Sequence, residues 1–254
     1  MLPARGVVDE IRALAALKAV AAPALDSTLA ALAPLLASYC ELVVTASGIE
    51  IITGGVGEAA AKTLGRLARE RGAHGDHAFL ACARRFPDRM LGAKFCFGDE
   101  ASLPTLYVRT LSARSEVLAF VSTLAEHEAA VPALERVLEQ NHTLYGLGFS
   151  TTATGQPLLK TYSLADVSAL GSTPRPGFVS YRAVVGEVTH EVKRYLPDLA
   201  WSELPSGFGY EDVKALVGCD RIGHLGVIES PGTAPRVKLY LERIGAIASD
   251  MSAR

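Results

Sequence analysis

An α+β fold, built as an antiparallel β-barrel or strongly curled sheet of repeated αββ units with the helices outside, follows from three observations. Paired strand-like runs joined by tight turns recur about four times, starting near residues 41, 91, 143 and 221. Helical stretches separate these pairs. The second runs alternate apolar and polar side chains, so one face of every hairpin needs a cover. Antiparallel hairpins joined by helices tile into a single closed sheet, and closure removes exposed edge strands. An open antiparallel sheet with helices on one face satisfies the same pattern.

In chain order, residues 1–36 place Ile11, Leu14, Leu17, Leu25, Leu29 and Leu32 at three- and four-residue steps, with Pro23 and Pro34 as break points. The first hairpin spans 41–47 and 48–53, turning at Ser47-Gly48, and a helix over 57–71 is stopped by Gly72. The second hairpin, 91–98 with 103–110, precedes a helical stretch over 115–140 in which Val117, Phe120, Val121 and Leu124 repeat. The third, 143–151 with 157–163, turns through Ala153, Thr154 and Gly155. Residues 186–196 read as a helix ended by Pro197, and 210–217 as a helix capped by Gly218. The fourth hairpin, 221–229 with 234–242, turns at Ser230-Pro231-Gly232.

The 254 residues carry no Gly/Ser-rich linker and read as a single domain over 1–254. Hydrophobic residues at 49% and charged residues at 20% exclude a disordered chain or a stapled mini-protein. Lys and Arg number 25 against 27 Asp and Glu, a net charge of −2, which removes the field a nucleic-acid binder needs. A small anion held by a few converging cations leaves that total almost unchanged. Arg5, Asp9, Glu10, Arg12, Lys18 and Asp26 interrupt the Ala/Leu-rich start before the ~18 uncharged residues of a membrane span, so no membrane partner is expected. Cys40, Cys82, Cys96 and Cys219 lack metal-knuckle spacing, and without a signal peptide they suit a reducing, cytoplasmic setting.

Three second strands begin at prolines: Pro104-Thr-Leu-Tyr-Val-Arg109, Pro157-Leu-Leu-Lys-Thr-Tyr162 and Pro235-Arg-Val-Lys-Leu-Tyr240. Alternation gives one face Thr105, Tyr107, Arg109, Leu158, Lys160, Tyr162, Arg236, Lys238 and Tyr240, and gives the other Leu106, Val108, Leu159, Thr161, Val237 and Leu239. The apolar face belongs under helices, so the cations and tyrosines line the lumen. An interior charge left unpaired costs several kcal/mol, so such a cluster holds an anion or meets water. A diphosphate satisfies it, and tyrosine faces beside it stabilise a cation by roughly 0.5 to 2 kcal/mol each. Lys, Arg and Tyr alternating on a solvated sheet face is the plainer reading of the same spacing.

The helix–hairpin repeat together with Lys160-x-Tyr162 and Arg236-x-Lys238-x-Tyr240 resembles the ABBA-superfamily aromatic prenyltransferases, in particular their indole (dimethylallyltryptophan synthase) branch, in a shortened form. The resemblance implies a closed prenyltransferase barrel, and metal-independent transfer of a prenyl group from an allylic diphosphate, dimethylallyl or geranyl, to an indole- or phenol-type acceptor. No cofactor is implied. It gives Lys160, Arg236 and Lys238, with Arg109, the diphosphate, and Tyr107, Tyr162 and Tyr240 the shielding of the prenyl cation. Glu41, at the start of the first hairpin, matches the glutamate that accepts the indole N–H proton, while the arginine expected about eleven residues on is Ile52. The family has five repeats against four here, so a further strand pair lies around 77–82 or 178–184, or the barrel is smaller.

Other constellations point to less. No Asp-Asp-x-x-Asp run offers magnesium ligands, His74-Gly-Asp-His77 lacks a third ligand nearby, and His127, His142, His190 and His224 are dispersed, so no metal is expected. Gly54-Gly55-Val-Gly57 reads as a hairpin-to-helix turn, and Gly92, Gly146, Gly148, Gly223 and Gly226 as sites of barrel bending. Lys94 is a lumen cation or a snorkelling surface residue, and Trp201 part of a lid, of an acceptor pocket or of the packing. Two rival functions fit the pattern: a shortened barrel that binds a small anionic or amphipathic ligand without prenyl transfer, and an interaction protein with an open sheet.

Overall fold

The structure, a computed structural model, describes residues 4–36, 38–98, 103–168, 174–184, 187–204, 210–217, 221–229 and 232–244. Within them the elements run α1 (Ala4–Leu17), α2 (Ala22–Leu36), β1 (Cys40–Val44), β2 (Gly48–Val56), α3 (Glu58–Glu70), α4 (Asp76–Arg85), β3 (Met90–Gly98), β4 (Thr105–Ala113), α5 (Arg114–Val121), α6 (Val131–Val137), β5 (Thr143–Thr151), β6 (Pro157–Val167), β7 (Arg175–Val184), β8 (Glu187–Ala200), α7 (Glu211–Val217), β9 (Arg221–Glu229) and β10 (Arg236–Ile244). The ten strands form a closed antiparallel barrel in chain order, with β1 paired to β10. The open-sheet alternative is excluded. Among the described residues, no helix is long and apolar enough to cross a membrane.

The expected outer face is buried as predicted: Leu106, Val108, Leu159, Val237 and Leu239 join a continuous apolar layer beneath the helices. Helix α3 packs on β2, β3 and β4, α4 and α5 on β4 and β5, and α6 on β7 and β8. Each fully buried aliphatic side chain in that layer contributes about 1.5–3 kcal/mol. Trp201 is buried in the same layer, so it is a packing residue.

Three elements differ from the reading of the sequence. Residues 187–200 form strand β8 rather than a helix, and with β7 they supply the fifth hairpin. The period of two in Lys193-x-Tyr195 overrides the helix-compatible Glu, Lys and Arg around it, and Pro197 ends no helix because it sits within a strand opposite His224. The stretch 115–140 divides into α5, a 3₁₀ turn at Glu128–Ala130 and α6, since proline is disfavoured in a helix interior and Pro132 instead sits in the first turn of α6. Residues 76–85 form α4, so 77–82 contributes no strand; Gly75, at φ 98°, makes the left-handed turn into it, and Asp76 accepts an ion pair from Arg69. That turn accounts for the His74-Gly-Asp-His77 motif without a metal. The Gly218 cap, Cys219 and the first two residues of the Ser230-Pro231-Gly232 turn lie outside the described residues.

Strand register sets the height of each lumen residue. Lys160 pairs through Gly148 with Tyr107, Lys193 through Ser180 with Tyr162, and Lys238 through Gly226 with Tyr195. Thr105 pairs through Lys94 with Ile52, and Glu50 through Val43 with Tyr240. Each hairpin is thus staggered by two residues against the next, the shear that lets tilted strands close. The same two lumen positions recur five times, as Glu50/Ile52, Thr105/Tyr107, Lys160/Tyr162, Lys193/Tyr195 and Lys238/Tyr240.

Candidate active site

The recurrent aromatic position forms a belt across the barrel. Tyr107 and Tyr162 meet edge to face at 5.7 Å between centroids and Tyr195 and Tyr240 at 5.6 Å, while Tyr162 and Tyr195 meet tilted at 6.1 Å. Hydroxyl hydrogen bonds link Ser180, Tyr195, Tyr162 and Tyr107 in sequence, and burial, the largest influence, pushes all three phenols well above their ordinary pKa, so they stay neutral. The belt divides the lumen into two cavities that share these tyrosines as a wall.

On one side lie Lys94, Lys160, Arg182, Lys193, Arg236 and Lys238, with Glu50 as the sole acid lining that cavity among the described residues. Glu50 Oε1 accepts from Lys238 Nζ at 2.6 Å and from Lys94 Nζ at 3.3 Å. Burial alone would raise its carboxyl pKa, but Lys94, Lys238 and Lys193 outweigh burial and hold it far below the usual carboxylate range. Burial pulls the Lys94 pKa down, but Glu50 together with Cys96, Tyr162 and Tyr195 outweighs it and holds the ammonium above the usual lysine value. Lys160 Nζ donates to Thr105 Oγ1 at 3.1 Å. Its pKa is pushed well below the usual value, by burial first and then by Lys94 and Arg182. Lys193 is lowered likewise, by burial and then by Lys238. Its ammonium lies over the faces of Tyr195 and Tyr240, at 4.4 Å and 4.2 Å from their centroids. Gly226 makes room for it, because a Cβ there would stand 2.5 Å from Lys193 Cε and 2.9 Å from a Tyr240 ring carbon. The charge in this cavity is that of a polyanion site.

On the other side the lining is apolar and aromatic: Ile52, Met90, Tyr145 and Phe178 join the belt. Phe178 stacks on Tyr195 at 4.1 Å and on Tyr145 at 5.4 Å. Glu41 is buried here; its Oε2 accepts from the Tyr39 hydroxyl at 3.3 Å, and its Oε1 is 3.6 Å from His224 Nδ1. A buried carboxyl group flanked by a phenol and an imidazole, beside stacked rings, suits a flat aromatic that offers an N–H or O–H.

Most residues singled out in the sequence converge on this lumen. Lys160, Arg236 and Lys238 share the cationic cavity, Tyr107, Tyr162 and Tyr240 sit in the dividing belt, and Glu41 faces the aromatic cavity. Arg109 does not join the cations. It lines the aromatic cavity, where its guanidinium donates to the Tyr145 hydroxyl at 2.7 Å. Aligning the strands on their prolines hid this. Pro104 stands one residue before the recurrent position at Thr105, whereas Pro157 and Pro235 stand three residues before theirs, so Arg109 falls beyond the belt. Lys94 proves to be a lumen cation. The sequence reading missed Arg182, Lys193, Tyr195 and Glu50; Lys193-x-Tyr195, the same signature as Lys160-x-Tyr162, was the available signal for two of them.

Neither a family model nor a curated protein matches the sequence. Solved structures do match the fold. The 5-dimethylallyl tryptophan synthase from Streptomyces coelicolor in complex with DMASPP and Trp aligns with a TM-score of 0.63 at 13% identity, covering 92% of this chain and 93% of that one. The apo form of the prenyltransferase PriB gives 0.60 at 11% identity, with 95% and 96% covered. AnaPT from Neosartorya fischeri gives 0.55 at 13%, with 82% and 78% covered. The chain therefore has the ABBA prenyltransferase barrel fold, as its hairpin repeat and Lys-x-Tyr strands led us to expect.

Proposed function

We propose that the chain transfers a prenyl group from an allylic diphosphate to an aromatic acceptor without a metal ion. The observation that carries this reading is the tyrosine belt, with a polycationic cavity on one side and an aromatic cavity containing a carboxylate on the other. Lys160, Arg182, Lys193, Arg236 and Lys238, with Lys94 behind them, hold the diphosphate and take up the charge that builds on it. The allylic C–O bond breaks and its electron pair leaves with the diphosphate. The tyrosine faces stabilise the allylic cation, which exists only after ionisation, so their contribution falls on the barrier rather than on binding. The ring carbon of the acceptor forms the new C–C bond, and its proton is then taken by the departed diphosphate. Glu41 accepts the acceptor's N–H or O–H and raises the electron density of the ring as the bond forms.

The test is incubation with dimethylallyl and geranyl diphosphate against a panel of indoles and phenols in the presence of a chelator, with products read by mass spectrometry. Prenylated product is expected with one or more acceptors. Binding of the diphosphate with no product from any acceptor, and none on adding magnesium, would favour the ligand-binding barrel instead.

A further inference from the structure

The recurrent lumen position above the belt holds lysine on β6, β8 and β10 and threonine on β4, but on β2 it holds glutamate. Building on the donor site proposed above, we propose that Glu50 is an internal competitor of the donor's diphosphate, which weakens its hold on the site and speeds departure of the product diphosphate. The side chain of Glu50 is 5% exposed. Its Oε1 takes the N–H donors of Lys238 at 2.6 Å and Lys94 at 3.3 Å, and its Oε2 is buried with no hydrogen-bond partner. A carboxylate kept ionised in such a place is sustained by the surrounding cations. A diphosphate in the same cavity calls on the same ammonium groups, so Glu50 gives up part of their attraction, and the two anions repel at short range in a medium where charge is poorly screened. The barrel closes without needing an acid at this position, since three of its four counterparts are basic.

The experiment is titration of the whole protein with inorganic pyrophosphate by calorimetry, comparing wild type with Glu50→Gln, which keeps the shape and removes the charge. Glu50→Met guards against misfolding caused by a buried, unsatisfied amide. Both substitutions are expected to tighten pyrophosphate binding by about tenfold to a hundredfold, the factor a unit charge about 6–12 Å away makes at an effective dielectric near 20. In turnover, both lower the KM for the donor and make pyrophosphate a stronger product inhibitor. Pyrophosphate affinity equal to or weaker than wild type in both folded variants overturns the proposal while leaving the donor site standing. No pyrophosphate binding by wild type or either variant overturns the donor site as well.

Discussion

The two cavities are one tyrosine ring apart and differ in almost every physical respect. Among the described residues, one is lined by six cations around a single carboxylate; the other is lined by stacked rings and holds its carboxylate between a phenol and an imidazole. A leaving anion and an electron-rich ring have opposite needs. The first needs charge-assisted donors, and the second needs an apolar slot with one acceptor. Placing both on one solid face would let the lysines withdraw electron density from the acceptor. In the proposed reaction the belt would prevent this while offering a π face to the cation that passes between the two sides.

The division breaks if a change on one side alters the other. The largest effect should come from Glu41→Gln, which removes the carboxylate proposed as the acceptor-side base while keeping its shape. Turnover is expected to fall by about 10²–10⁴-fold, the usual contribution of a positioned acid or base, while pyrophosphate affinity stays at the wild-type value. A matching loss of pyrophosphate affinity in calorimetry would mean that the two cavities act as one. Next in size is Lys160→Ala. Losing a charge-assisted contact to phosphate costs about 1.5–3 kcal/mol, so pyrophosphate should bind roughly ten- to a hundredfold more weakly, with the acceptor KM unmoved.

How far each side was legible in the sequence differs for a physical reason. The cationic side is written in a short period: Lys160-x-Tyr162 and Lys238-x-Tyr240 alternate on their strands, and alternation alone sends both members of each pair into the lumen. The same rule assigns Arg109 to the lumen but not to a height, because height depends on the stagger between hairpins, which no single strand carries. Lys193 and Tyr195 were hidden by surrounding residues with high helix propensity, which tertiary pairing overrode. The acceptor side is assembled from Tyr39, Tyr145, Phe178 and His224, one residue from each of several strands and a loop, with no shared motif. Apart from the belt tyrosines, only Glu41 and Arg109 stood out, Glu41 through resemblance and Arg109 as a member of the opposite cavity.

A smaller effect, spread over pH, sharpens the electrostatic half of the comparison. Burial and neighbouring cations push Lys160 and Lys193 well below the usual lysine pKa. Their protonated forms favour the unfolded chain, so the stability they contribute is present above the unfolded value of 10.5 and is lost as pH falls through their lowered folded values. Pyrophosphate binds the protonated forms and should raise both pKa values. Its binding is therefore expected to take up protons, seen as a calorimetric enthalpy that varies with the ionisation enthalpy of the buffer, and to weaken as pH rises. Proton release on binding would contradict this assignment.

The smallest effect tests the belt itself. Tyr240 is 5% exposed, meets Tyr195 edge to face at 5.6 Å, and carries the Lys193 ammonium 4.2 Å above its ring. If the ring face is what matters, Tyr240→Phe keeps it, and both pyrophosphate affinity and turnover should stay within about twofold, a shift of ~0.4 kcal/mol. Tyr240→Ala removes the face and opens the wall between the cavities. Pyrophosphate affinity should change little, because in the proposed site the diphosphate is held by ammonium and guanidinium groups. Turnover should fall by the value of one cation–π contact, about 0.5–2 kcal/mol, because an interaction made only with the ionised donor lowers the barrier and leaves the ground state alone. The belt's role is read from that split between affinity and rate. Tyr240→Ala losing affinity and turnover in equal measure would make Tyr240 a packing residue of the diphosphate site, whereas a loss of turnover in Tyr240→Phe as large as in Tyr240→Ala would move the chemistry from the ring to its hydroxyl.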